Sequence, residues 1–219
     1  FSTLAEALPL PWHRTSPRHL FQLRVVDETS TPTTAFIYRE LDEDRAPCAG
    51  YIQCVLPFEH PVDDFVTMIL GVLGCGLWWS GLAGYLATWS VAEKPTSFTT
   101  LRRWCRRYHG LDVQDPDAMM LRVTEGLPGT NWLTAIGKPF MARRELVPEV
   151  TLAPAWDEAI EVAALPQGML VRAGDLPTLG DLNTLDRPVA YAEVAQRLEP
   201  YVLASPPDFP WWSVEEKET

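Results

Sequence analysis

An α+β fold, with a mainly antiparallel sheet covered by helices, is what this 219-residue sequence predicts. Three observations point to it. Two apolar runs are closed by glycine at both ends, Asn131–Ile136 between Gly129 and Gly137, and Met169–Ala173 between Gly168 and Gly174. Buried strands with tight turns at their ends have that form. Three further strand-like runs near the front of the chain lie close enough together to form an antiparallel meander. Apolar residues at helical spacing recur in Ser97–His109 and again after Asp186. The length and the 47% hydrophobic content suit a single core. The expected layout is one domain over residues 1–205, with room for two structurally related halves, followed by a polar tail rich in Pro and Trp over 206–219.

Taken in order, residues 1–18 are Pro-rich and read as an irregular arm packed by Leu8, Leu10 and Trp12. In Phe21–Val25 the apolar residues Phe21, Leu23 and Val25 alternate with Gln22 and Arg24, as in a half-buried strand. Ala35–Arg39 and Tyr51–Leu56 are the next two strands, separated by an acidic loop containing Glu40, Asp42, Glu43 and Asp44. Pro61, Asp63 and Asp64 open a helix with acids at the end its dipole favours. From Phe65 to Ala92 there is no charged residue, a length that could cross a bilayer. Five glycines in that run, at 71, 74, 76, 81 and 84, and the absence of basic flanks argue instead for a buried helix over Phe65–Leu73, a turn holding Trp78 and Trp79, and a central strand around Gly84–Trp89. Two adjacent tryptophans cannot both point inward from a strand, which leaves one of them to face outward.

The helix Ser97–His109 should bury Phe98, Leu101, Trp104, Cys105 and Tyr108 and end at Gly110. Arg102, Arg103, Arg106 and Arg107 crowd its outer half, where they suit the negative end of the dipole and would pair with nearby carboxylates. Asp112, Asp115 and Asp117 form a second acidic group. Short helices are expected at Pro139–Glu145 and Pro154–Ile160, and a strand at Glu161–Leu165 should pair with Met169–Ala173. Gly180-Asp181-Leu182-Asn183 reads as a turn in which glycine supplies positive φ and Asp or Asn bonds its own backbone. In the last helix Asp186 is the candidate cap and Pro188 fits the first turn. Tyr191, Val194, Ala195, Leu198 and Val202 form its apolar stripe, and Glu193 pairs with Arg197 one turn on.

Eighteen Lys plus Arg against 29 Asp plus Glu give a net charge of −11. Such a surface repels phosphate, so nucleic acid is an improbable partner and a basic protein a suitable one. The four cysteines, Cys48, Cys54, Cys75 and Cys105, show no metal-ligand spacing and read as reduced thiols, although Cys48 and Cys54 could meet across a hairpin in an oxidising compartment. No charged-then-apolar leader opens the chain. There is no phosphate loop, nucleophile elbow or zinc-protease motif, and His13, His19, His60 and His109 are scattered. Asp175, Asp181 and Asn183 match no cation loop and read as turn formers. Neither a cofactor nor a metal is expected.

The runs RYHGLDV (107–113), GTNWL (129–133), LVRAG (170–174) and GDLN (180–183), ending in a Pro-x-x-Tyr helix, resemble the type VI secretion immunity family. The resemblance covers roughly the last two thirds of the chain, in order. It implies a non-catalytic, cytoplasmic protein that binds and neutralises a cognate type VI effector, a DNA-cleaving nuclease of the restriction-endonuclease-like class, by occluding its active site. The expected contacts are Asp42, Glu43, Asp44, Asp112, Asp115 and Asp117, with Trp78 or Trp79 as anchor. The motif residues themselves read as structural. Two rivals stand beside this reading. Pro207-Asp208 followed by Glu215-Glu216-Lys217 resembles the metal-binding signature of restriction-like nucleases, but Pro210 and the nearby end of the sequence disfavour the hairpin that would gather Asp208, Glu215 and Lys217. A small-molecule-binding module would need a deep apolar pocket near Trp78 and Trp132.

Overall fold

The computed structural model describes residues 22–27, 34–39, 49–88, 94–113, 116–120, 122–146 and 156–204. The front of the chain forms the expected meander. Strands β1 (Gln22–Val26), β2 (Ala35–Arg39) and β3 (Tyr51–Val55) pair antiparallel in that order, with Leu23 opposite Tyr38 and Phe36 opposite Cys54. Alternation predicts Val25 on the inner face, yet it is exposed, because β1 is an edge strand paired only with β2. The 1–18 arm and the acidic loop between β2 and β3 lie outside the described residues.

Helix α1 (Val62–Gly74) starts at Pro61, with Asp63 and Asp64 in its first turn. It begins and ends slightly beyond the expected Phe65–Leu73, and none of its residues is fully buried. Val62, Phe65, Val66, Ile69 and Leu73 pack one side of it on the main core. Instead of one central strand at Gly84–Trp89, the chain makes two short ones, β4 (Ser80–Ala83) and β5 (Tyr85–Leu86), broken at Gly84. The Asn131 side chain lies against the backbone at this break, so close that a Cβ at Gly84 would run into it. Trp89 lies outside the described residues. Helix α2 (Lys94–Arg107) follows, then β6 (Leu111–Asp112), which pairs in parallel with β5, and a short α3 (Pro116–Met119).

The centre of the molecule is a four-stranded antiparallel sheet made of β4, β7 (Leu133–Gly137), β9 (Gly168–Ala173) and β8 (Ile160–Leu165), in that order. Both glycine-bounded runs thus become its two inner strands. Every residue of β7 is buried, as a strand covered on both faces requires. The run ahead of it, Asn131 and Trp132, is a turn rather than strand. There the Asn131 side chain accepts from the Trp132 N–H at 2.6 Å, and the Asn131 N–H donates to the Thr134 hydroxyl at 3.1 Å. These bonds satisfy polar groups that would otherwise be costly at such burial. The helix expected at Pro139–Glu145 is α4 (Lys138–Arg143). No helix occupies residues 156–160, because Asp157 accepts from the Ala159 N–H through its side chain and from the Ile160 N–H through its carbonyl, folding a turn directly into β8.

Helix α5 (Val189–Leu198) is capped by Pro188 rather than by Asp186, since Pro188 is the last residue with non-helical backbone. Tyr191, Val194 and Leu198 are buried, while Ala195 faces water: residues at spacing 3 and 4 define the inner stripe and Ala195 falls just off it. Glu193 and Arg197 pair at 2.6 Å, and the Arg197 guanidinium lies 4.2 Å from the Trp156 ring centre.

One core holds these elements. Trp132, Phe140, Leu127, Leu133, Ile136, Val171, Val194 and Leu198 are almost wholly removed from water. The Trp132 N–H of the ring donates to the Gly174 carbonyl at 2.8 Å, so its one polar atom is satisfied inside the core. Truncating Trp132 to Ala should cost about 3–5 kcal/mol through cavity formation. Trp132→Phe should cost about 1–3 kcal/mol, because it removes that bond and leaves the carbonyl only the longer one from Arg172 Nε at 3.3 Å. Urea denaturation of the two variants checks both the size and the order.

Candidate functional site

The four runs that carry the family resemblance meet in pairs, the first with the last and the second with the third. Arg107 at the end of α2 donates from Nε to Asp181 Oδ1 at 2.9 Å and from Nη2 to Asp181 Oδ2 at 2.6 Å, a two-pronged pair. Three residues further on, the Gly110 N–H donates to the Leu179 carbonyl at 2.7 Å, and a Cβ at Gly110 would collide with the Thr178 carbonyl. Asp181 also accepts from the Asn183 N–H at 3.0 Å, which makes it the cap of a short 3-10 turn, Leu182–Thr184. Gly180 takes the left-handed conformation at φ 58°, as the turn reading predicts. Behind this turn the Tyr191 hydroxyl accepts from the Thr178 N–H at 3.0 Å. The LVRAG run makes the other pair: Gly174 receives the Trp132 ring N–H, and the Arg172 guanidinium lies 5.5 Å from the Trp132 ring centre while donating to the Asp175 carbonyl.

The electrostatics of this clasp follow from its geometry. The Arg107 guanidinium beside Asp181 holds its carboxyl below the usual carboxylate range, and the Asn183 N–H acts in the same direction. Burial pushes the Tyr191 phenol up to about 12. Burial, with the Asp112 charge, raises the Cys105 thiol to about 11, and burial also raises Cys54. Cys54, Cys75 and Cys105 are free thiols, and Cys48 lies outside the described residues.

Of the expected contact residues, Asp42, Glu43, Asp44 and Asp115 lie outside the described residues, and of Asp117 only the backbone in α3 is described. Asp112 is half-buried in β6, where its side chain accepts from the Val113 N–H at 2.8 Å and its carbonyl from the Ala87 N–H at 2.9 Å. Trp78 and Trp79 are both half-buried and packed on the main core. Trp78 donates from its ring to the Leu73 carbonyl at 3.0 Å, and the Trp79 carbonyl accepts from the Gly137 N–H at 2.8 Å. The residue that points outward at this bend is their neighbour Leu77, 74% exposed. Trp104, expected inside, is 48% exposed. Among the described side chains of α2 only Leu101 is buried, against Ala87 with Leu111 and Val113 beside them, and Trp104, one turn on, sits at the margin of that contact.

An open cleft of about 790 Å³ lies between the meander and the α1–β4 region, with Tyr38, Ile52, Ile69, Leu73, Trp78 and Leu82 among its walls. Trp132 is sealed in the core and does not reach it. Asp208, Glu215 and Lys217 lie outside the described residues. Among the described residues no three His, Cys, Asp or Glu side chains are grouped to hold a metal ion, and no helix is long and apolar enough to cross a membrane.

The fold is an α+β scaffold whose motif residues tie its turns and strands to one another. The chain belongs to the TsiV family, type VI immunity for VRR-NUC, whose model matches residues 40–217. That family is the one whose motifs the sequence resembles. A solved structure, the Pseudomonas aeruginosa T6SS protein PA0821, has the same fold with a TM-score of 0.72 at 15% sequence identity. The match covers 84% of this chain and 54% of that one, so this chain spans about half of that protein's length. No curated protein sequence matches significantly.

The clasp makes a pH prediction. Because the folded-state pKa of Asp181 lies below its ordinary 3.8, its contribution to stability is complete above that value. It is lost as pH falls through the folded pKa. Melting temperature measured from about pH 5 down to about pH 3 should therefore fall less steeply in Asp181→Asn than in the unmodified protein. Tyr191 acts at the other end of the scale. Its raised pKa stabilises the fold below the ordinary value of 10.0, and that contribution is lost as pH rises from 10.0 towards about 12. Tyr191→Phe should flatten this alkaline loss.

Proposed function

We propose that this chain neutralises a DNA-cleaving VRR-NUC effector without catalysis, by occupying the nuclease's DNA-binding channel. The family match over residues 40–217 is the observation that supports this reading, and the net charge of −11 agrees with it. A channel that binds DNA is basic, and an acidic inhibitor is steered towards it and away from wrong partners. Because such an effector acts on DNA, we place the immunity protein in the cytoplasm of the producing cell.

In this proposal Asp42, Glu43 and Asp44 make the leading acidic contact, joined by Asp115 and Asp117. Asp112 contributes less, since its carboxylate is already engaged within the fold. Trp78 and Trp79 would serve as anchors through the edges they leave in water. The motif residues Gly129, Asn131, Trp132, Gly174, Gly180, Asp181 and Asn183 are structural in this reading, and substituting them would weaken immunity through the fold and not by removing a contact.

Co-expression with the nuclease encoded in the neighbouring reading frame tests the reading. The two proteins should copurify, and DNA cleavage should stop at an equimolar ratio. Reversing charge at Asp42, Glu43 and Asp44 together should weaken inhibition by about tenfold or more while leaving melting temperature nearly unchanged. Undiminished inhibition would exclude that loop as the contact.

A further inference from the structure

The acidic contact makes no use of the outward face of α2. Arg103, Trp104 and Arg106 are all exposed on α2, spread over the part of the helix circumference left open by the narrow Leu101 contact. Two ordinary explanations account for part of this face. Basic residues near the C-terminal end of a helix complement its dipole, and Arg107 is engaged by Asp181. Neither explains the rest. Arg103 and Arg106 form no ion pair among the described residues, although the chain has 29 acidic residues against 18 basic ones. Trp104 leaves about half its surface in water, where a large apolar ring forfeits the free energy that burial would give it.

Tryptophan and arginine are the side chains most enriched where binding energy concentrates. The planar guanidinium fork also matches a carboxylate better than any other group does. The Arg107–Asp181 pair extends the face. It fixes the turn from Asp181 to Leu185 against the end of α2, and Leu185 at the far side of that turn is 79% exposed.

We propose that Arg103, Trp104 and Arg106, with Leu185 at the rim, form a second docking surface, and that its occupant is a carboxylate-rich patch on the effector nuclease. This rests on the effector-binding reading above and adds a contact of opposite charge to it. Charge complementarity selects the occupant: two unpaired guanidiniums beside an exposed indole suit acidic protein surface. Metal-dependent nucleases supply such a surface, because carboxylates hold the divalent ion beside the channel that binds the DNA backbone. An inhibitor that bridges the two would set acids against the channel and arginines against the carboxylates.

The test is the affinity of the full chain for the purified neighbouring-frame nuclease, measured with Arg103→Glu/Arg106→Glu, Trp104→Ala and Arg103→Lys/Arg106→Lys variants. The first two should each bind about tenfold or more weakly. The lysine pair, which keeps charge but loses the fork, should fall between them and the unmodified protein. Melting temperatures should stay close to that of the unmodified protein, since these side chains are exposed. Unchanged affinity in both the glutamate pair and Trp104→Ala overturns the second surface and leaves the acidic contact standing. Failure of the unmodified chain to bind the nuclease overturns the effector-binding reading, and this surface with it.

Discussion

The rest of the structure depends on the satisfaction of a single buried donor. Trp132 has no exposed surface, and an indole N–H left unpaired at that depth would offset much of what its ring gains by burial. The Gly174 carbonyl answers it. That carbonyl is in place because Gly174 turns the chain at φ 91°, a conformation side-chain-bearing residues rarely adopt. One hydrogen bond therefore fixes the entry to β7 against the exit of β9, and with them the register of the two inner strands. Arg172 then covers the ring from the edge, and Phe65 of α1 lies roughly parallel to it at 6.5 Å. The helix, the sheet and the turn after the sheet all take their positions from this one side chain.

The Arg107–Asp181 pair is a different kind of restraint. Both partners are in contact with water, so their attraction is screened and its worth in stability is small. What it contributes is direction. Two prongs fix the plane of the guanidinium and the orientation of the carboxylate together, while the Gly110–Leu179 hydrogen bond fixes the distance between the same two segments. Together they join α2, through the turn at Gly180, to α5. The core through Trp132 holds the sheet, and the clasp holds the helices to it.

Much of this was legible because it is local. Alternation marked the meander, and glycines marked the ends of the inner strands. Gly180 and Asp181 announced a turn whose cap can be written from residue types alone. Elements failed to follow the pattern where a partner distant in sequence intervened. Nothing near Gly84 says that Asn131 will lie against it where the strand breaks. Pro188 displaced Asp186 as the cap because the turn at Leu185, with φ 60°, delivers the chain to the helix two residues late. Trp104 was assigned to the core because apolar residues at helical spacing were assumed to share one face. In the structure Leu101 packs with Ala87, while Trp104 keeps about half its surface in water. The Arg107–Asp181 contact spans 74 positions, and no spacing rule reaches that far.

This division bears on how an immunity protein can be read from its sequence. The motifs that place the chain in its family are the residues that close the core and lock its turns, and a fold shared by the family must keep them whichever toxin is bound. Contact residues answer to the opposite requirement. Telling one toxin from another depends on differences in surface charge and shape, including elements that repel the wrong partner. Such residues are free to vary on an unchanged frame. Motif resemblance can therefore name the role of the chain while saying nothing about where the toxin sits. The surface must be sought in residues that the fold does not need, and a side chain that is large, exposed and unexplained by packing is the physical mark of one.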